Sequence, residues 1–296
     1  MYPVTFGAVV EHCVSRLLGI TVMILRRALL IGALVLSAFG PALRLPGQTP
    51  VVTSGTFDPP TTSPSTKNPL DERPVSFKLL PSNFLEDQKA IWTFPAGLAK
   101  GHHWKPALGF AVAATALVAL DSHDTPYFRR TDSFSGFNKT FSGRNTSLAM
   151  AIIPASFLVE VVAHHDSYSE HTALLAGEAV ADSELLAWVL KDASHRNRPS
   201  AISPHGDFSD TWSEARGSVF GKYSSFPSGH TIAAFSIATV FAERYRKHRW
   251  VPWVSYGLAG LVGFSRISLQ AHFPSDVFAG AALGYFISHG AVLQNH

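Results

Sequence analysis

Six apolar runs, at 106–120, 148–163, 172–190, 231–242, 251–264 and 277–293, constrain this chain more than any other feature. Most are rich in Ala, Leu and Val, are bounded by Pro, Gly, Ser or Asp, and lack the alternation of a half-buried strand. They predict an all-α fold, a helical bundle of about six long helices. Shorter helices are expected over 85–100, and the polar stretch 121–147 reads as a loop passing over one end of the bundle. With 296 residues, 46% hydrophobic and 15% charged, the chain can bury one substantial core beside an N-terminal tail.

The organisation before that core is also legible. Residues 28–43 form an uncharged apolar run directly after Arg26 and Arg27, with small residues at Ala38, Gly40 and Ala42. This is a secretory-signal pattern, and with Met23 just before it the start is expected at either Met1 or Met23, residues 1–22 being an upstream extension in the second case. Residues 1–45 are therefore expected to hold a signal peptide or an uncleaved anchor, which puts the following domain in the cell envelope, outside the cytoplasm. Residues 46–75 carry Pro46, Pro50, Pro59, Pro60, Pro64, Pro69 and Pro74 among Thr and Ser, and so form a linker or wrapping arm. The folded domain is expected over 76–296.

Membrane-integral and soluble readings both stay open. A span needs roughly 20 apolar residues, which the shorter runs do not reach. The run 172–190 contains Glu178, Asp182 and Glu184, which are expensive against lipid. Against a soluble core stands 106–120, where Thr115 is the strongest polar group. A net charge of +3 without a long basic block argues against nucleic acid as a partner. The single cysteine, Cys13, rules out an intrachain disulfide or a cysteine-rich metal site.

Three polar clusters punctuate the apolar runs. The first runs from Lys191 to Arg198 and Pro199, the second is Pro227-Ser228-Gly229-His230, and the third runs from Ser265 and Arg266 through His272 to Asp276. Each lies at a predicted helix end, so a bundle can gather them at one mouth. Lys191, Arg198 and Arg266 supply cations, while Ser228 and Gly229, opening a helix, supply backbone N–H donors for an anion. Such a set suits the spreading charge of phosphoryl transfer without a metal. The two histidines then divide the chemistry. His272, with Asp276 one turn on to fix its tautomer, is the better nucleophile; His230, in the first turn after the cradle, is the better acid.

Lys-x6-Arg-Pro, Pro-Ser-Gly-His and Ser-Arg-x5-His-x3-Asp are similar, in order and at every position, to the three signature motifs of the type 2 phosphatidic acid phosphatase family. That superfamily also contains bacterial class A acid phosphatases and vanadium haloperoxidases. The resemblance covers 191–276 and implies a phosphatidic acid phosphatase/haloperoxidase-like helical core. It implies a phosphohistidine intermediate on His272, leaving-group protonation by His230, and support of His272 by Asp276. It further implies phosphate binding by Lys191, Arg198, Ser228, Gly229 and Arg266, with no metal or cofactor.

The expected activity is a metal-independent phosphatase. Its substrates would be lipid phosphates or pyrophosphates if the core sits in the membrane, and soluble phosphomonoesters otherwise. The alternatives are a vanadate-dependent haloperoxidase, which is usually much larger, and a non-catalytic phosphate-binding envelope protein. His102-His103 and His164-His165-Asp166 lack metal-site spacing and read as surface residues. His195 and Arg196 are further pocket candidates. The loop 200–226, with Phe208, Trp212, Phe220, Tyr223 and Phe226, is either a lid or packed loop, and Trp250 and Trp253 read as core.

Overall fold

The computed structural model describes residues 73–164 (without side chains from 157), 167–203, 206–208, 211–212 and 224–294. The expectations for 1–45 and for nearly all of the 46–75 arm, and those for Phe220 and Tyr223, lie outside these residues. Eight α-helices occur among the described residues: α1 Leu80–Ala99, α2 Trp104–Arg130, α3 Ser135–Thr140, α4 Gly143–His164, α5 Ser167–Ser194, α6 Gly229–Arg244, α7 Val251–Ser268 and α8 Pro274–Ile287. No strand is found among them, as the apolar runs predict.

The helix count exceeds the expected six for two reasons. The segment expected to hold shorter helices is one 20-residue helix, α1. The stretch 121–147 is largely helical: α2 continues to Arg130, and α3 and the start of α4 fill most of the rest. Hydropathy hides this because the buried residues of α2, Asp121 and Thr125, are polar. Asp121 docks the helix through Arg196 and Ser275, while Phe110 and Phe128 meet the rings of Phe278 and Phe264.

α6 is the central helix, packed against α5, α7 and α8. Ile232, Val240 and Phe241 on it are buried, and Ile237, Val240 and Phe241 join Leu174, Leu175, Val251 and Val292 in the main apolar cluster. Each such side chain contributes about 1.5–3 kcal/mol on burial. Two glycines of α8 set its distance from α6. A Cβ added at Gly280 would lie 2.7 Å from the Ser228 carbonyl oxygen, and one at Gly284 would lie 2.5 Å from that of Ile232. Backbone therefore meets backbone here, and α8 fixes the height at which Ser228 sits.

α1 is attached by polar contacts instead. Arg73 donates to both Asp87 oxygens at 2.7 Å and to Glu178 at 3.4 Å, and Gln88 donates to Asp182 at 2.8 Å. Burial, reinforced by the nearby Asp87 and Glu178 charges, pushes the Asp182 carboxyl up to about 8.

α2 is long and apolar enough to cross a membrane, and only 6% of its apolar window is buried. Trp253 is 82% exposed and Trp250 38%, so the expectation that they belong to the core is wrong. Trp253 stands with Val254, Leu258 and Leu261 on the outward side of α7, a placement that sequence spacing alone does not reveal.

Candidate active site

The three sequence clusters meet at one end of the bundle because each is tied to the next by main-chain hydrogen bonds. α5 ends at Ser194, and His195 adopts a left-handed φ of 43° that turns the chain back. The Arg196 carbonyl then accepts from Ser225 N–H (2.7 Å), joining the first cluster to the approach of the second. Pro227 follows through a cis peptide bond, and Ser228 takes the extended conformation that opens α6. Its hydroxyl pairs with that of Thr231 at 2.8 Å, and its N–H donates to the Asp276 carbonyl oxygen at 3.1 Å. That bond brings in the third cluster. By helix geometry, the N–H groups that start α6 point out of its end and favour an anion.

His272 is buried, and its Nδ1–H donates to the Ser225 carbonyl oxygen at 2.7 Å. The Asp276 carboxylate, expected to be the direct partner, lies 3.8 Å from the same nitrogen. With Nδ1 carrying the hydrogen, Nε2 is left with the lone pair. Burial holds the His272 pKa below its usual 6.5 and outweighs the Asp276 charge, so the ring is neutral at neutral pH. Asp276 accepts from Phe273 N–H (2.9 Å), from the Ser225 hydroxyl and from Arg196 (2.6 Å). Burial would raise its pKa, but the His272 ring and Arg196 hold it below the usual value.

His230 places Nε2 3.2 Å from the Gly143 carbonyl oxygen and 3.0 Å from the Ser147 hydroxyl. Burial first, then the Arg266 cation, push its pKa down to about 4. His272 and Lys191 also disfavour its charged form. Gly143 and Ser147 come from the segment expected to be loop, and nothing in their spacing marked them. Arg266 is almost fully buried; Nε and Nη2 donate to Ser265 Oγ (3.0 and 2.8 Å), and Nη2 also donates to the Phe141 carbonyl oxygen.

Gly229 explains itself by what surrounds it. A Cβ there would lie 2.9 Å from Lys191 Nζ and 3.2 and 3.3 Å from the Glu184 carboxylate oxygens. Glu184 was absent from the sequence-derived set, although its seven-residue spacing from Lys191 puts both on one face of α5. Burial raises the Glu184 pKa and lowers that of Lys191. Arg198 is half-buried, and burial lowers its pKa despite the Asp276 charge. Lys191, Arg198, Ser228, Gly229, His230, Arg266, His272 and Asp276 thus lie at the same end of the bundle, although the Ser228 N–H, expected to bind an anion, is already donated to the Asp276 carbonyl oxygen. His102 and His103 are exposed in the turn between α1 and α2. Phe208 and Trp212 are packed, Phe208 against Phe273 and Trp212 against Phe226.

The arrangement offers a neutral, oriented imidazole, a second imidazole, and cations around a helix start. A tetrahedral oxyanion is the species that uses all of them.

Residues 172–296 match the model of the PAP2 superfamily. A lipid A 4'-phosphatase of Porphyromonas gingivalis is 30% identical over 154 residues, covering 52% of this chain and 63% of that protein. A lipid A 1-phosphatase of Rhizobium etli is 36% identical over 106 residues, covering 36% and 43%. The matches thus span about half the length of these curated relatives. The solved structure of a transmembrane PAP2-type phosphatidylglycerolphosphate phosphatase from Bacillus subtilis aligns at 22% identity, over 69% of this chain and 92% of that one, with a TM-score of 0.38. That likeness is too loose to carry detail. The three complete motifs, the matched region and the curated relatives agree: residues 172–296 form a region similar to the PAP2 superfamily, the family of type 2 phosphatidic acid phosphatases.

Proposed function

We propose that this protein is a metal-independent phosphatase that hydrolyses the phosphate of a lipid through a phosphohistidine on His272. The observation that carries the reading is the His272 ring: Nδ1–H is committed to the Ser225 carbonyl oxygen, which leaves Nε2 with its lone pair. Nε2 attacks phosphorus, forming a P–N bond as the ester P–O bond breaks. The departing oxygen takes a proton from His230. Water then attacks phosphorus, giving its proton back to His230, and the P–N bond breaks to release inorganic phosphate and free His272. Lys191, Arg198, Arg266 and the N–H groups at the start of α6 hold the phosphoryl oxygens as charge spreads over them.

A lipid substrate is favoured by the relatives, which are named as lipid A phosphatases, and by the exposed apolar surface of α2. Through that helix the protein associates with a membrane of the cell envelope. The test is hydrolysis of lipid A and of phosphatidic acid in detergent with excess chelator, comparing wild type with His272→Ala. Wild type turns over in chelator and the variant does not. Radiolabelled phosphate is retained on wild type in reactions quenched in base, where a P–N bond survives. Activity in the variant, or loss of wild-type activity with chelator, overturns the mechanism. Vanadate-dependent bromide oxidation without phosphate release would point to the haloperoxidase alternative instead.

A further inference from the structure

Arg196 takes no part in holding phosphate above, yet it is 1% exposed and wholly enclosed beside the site. Its Nη1 donates to Asp276 Oδ1 at 2.6 Å and to Ser275 Oγ at 2.7 Å. Its Nη2 donates to Asp121 Oδ2 at 2.6 Å, and its Nε to Thr211 Oγ1 at 3.2 Å. The guanidinium faces are covered by Trp212 at 4.4 Å and Phe273 at 4.1 Å. Asp121, also 1% exposed, accepts in addition from Ser275 N–H (3.1 Å) and from the Ser275 hydroxyl. It comes from α2, outside the region that carries the family motifs. Every polar atom of the bridge Asp121–Arg196–Asp276 is therefore engaged, and the bridge has no room to rotate.

We propose that Asp121 and Arg196 are positioning residues for His272, forming a fixed carboxylate–guanidinium–carboxylate bridge that sets the direction and the effective charge of Asp276. Two physical reasons carry this. First, Asp276 reaches the His272 ring with Oδ2 at 3.8 Å, and Arg196 fixes Oδ1 while Phe273 N–H and the Ser225 hydroxyl fix Oδ2, so the carboxylate is held at both oxygens. Second, a guanidinium in direct contact with Asp276 would by itself cancel much of the charge that Asp276 offers to the imidazolium formed on phosphoryl transfer. Asp121, on the other side of the same guanidinium, restores it, because coupling between buried charges is strong. The other groups facing His272 are Ser225 from the segment before α6, Lys191 on α5, Arg198 after α5 and His230 on α6. None of them changes in the variants below.

The inference rests on the phosphohistidine reading, and its test has a readout independent of activity. The His272 ring is followed by NMR titration in the full-length protein, and kcat and KM are measured with the same preparations. Asp121→Asn keeps the shape and removes the charge. The His272 titration midpoint moves to lower pH, and kcat falls by about 10- to 100-fold while KM changes little. Arg196→Gln removes the cation, and the midpoint moves in the opposite direction, to higher pH. A role confined to stability moves neither midpoint in a sign-dependent way. An unchanged midpoint and kcat in Asp121→Asn overturns the proposal; should Arg196→Gln fail to fold, Asp121→Asn alone decides. If the protein hydrolyses no phosphoester, the functional reading fails, and the two midpoints still report on the bridge.

Discussion

Replacing Gly229 by alanine separates stability from catalysis. The residue opens α6 with φ outside the left-handed region, so alanine adopts its backbone without strain. In a helix, alanine is favoured over glycine by up to about 1 kcal/mol, less in the first turn, so stability should be unchanged or slightly higher. The added Cβ, however, would stand 2.9 Å from Lys191 Nζ and 3.2 Å from the nearer Glu184 oxygen. Ordinary contacts need roughly 3.5–4 Å, so the ends of both side chains must retreat by about 0.5–1 Å. They do so cheaply, since both are flexible, but the retreat takes the ammonium away from the phosphoryl oxygens. A misplacement of that size costs on the order of 10²-fold in rate. Thermal unfolding and phosphate release from a lipid phosphate, measured on the same preparation, check both halves. A variant as stable as wild type and within threefold of its kcat/KM would refute the placement of Lys191 beside Gly229 and its role in the transition state.

Four further outcomes are expected. His230→Ala should slow hydrolysis of alkyl and lipid phosphates by about 10²–10⁴-fold but slow p-nitrophenyl phosphate far less, because that leaving group departs without a proton; equal losses on both substrates would remove His230 from the acid role. The rate should rise as pH falls from 8 towards 6.5, since His230, which charges only near 4, gains protonated fraction while His272, held below 6.5, stays mainly neutral; a pH–rate profile peaking above 8 contradicts this. Asp182, with a folded pKa of about 8 against roughly 3.9 unfolded, binds more protons when folded, so stability should drop as pH rises from about 4 through 8. Asp182→Asn should flatten that drop in chemical denaturation, and an unchanged slope counts against the buried acid. Gly284→Ala, whose Cβ would meet the Ile232 carbonyl at 2.5 Å and Ser236 N at 3.0 Å, should destabilise the α6–α8 contact by at least about 1–3 kcal/mol, and a melting temperature within 1 °C or so of wild type would refute that packing.

Much of this molecule was legible from its residues. The apolar runs specified helices because a run of Ala, Leu and Val without alternation satisfies its backbone only within itself. The motifs named a candidate site, and the fold brings their segments to one end of the bundle through main-chain hydrogen bonds between them. The misses have a common cause. α2 extends beyond its apolar run with Asp121 buried by its bonds to Arg196 and Ser275, and hydropathy registers only the apolar kind of burial. Trp250 and Trp253 were read as core rather than as an interfacial belt because the apolar runs are short, and only the packing of α7 shows which way they face. Glu184 passed as a charge within a helix, although its face is shared with Lys191.

By itself, then, the sequence determined the helical class, the chemical inventory of the candidate site and the resemblance to the family. What waited for the tertiary structure was every relation between elements distant in the chain. Ser225, and not Asp276, holds the His272 ring directly; Gly143 and Ser147 reach His230 from α4; Asp121 reaches Arg196 from α2. The reason is physical. Local propensity and periodicity act over a few residues and are written into composition, whereas a hydrogen bond between segments depends on how two helices approach, and here Gly280 and Gly284 set that approach to within a few tenths of an ångström.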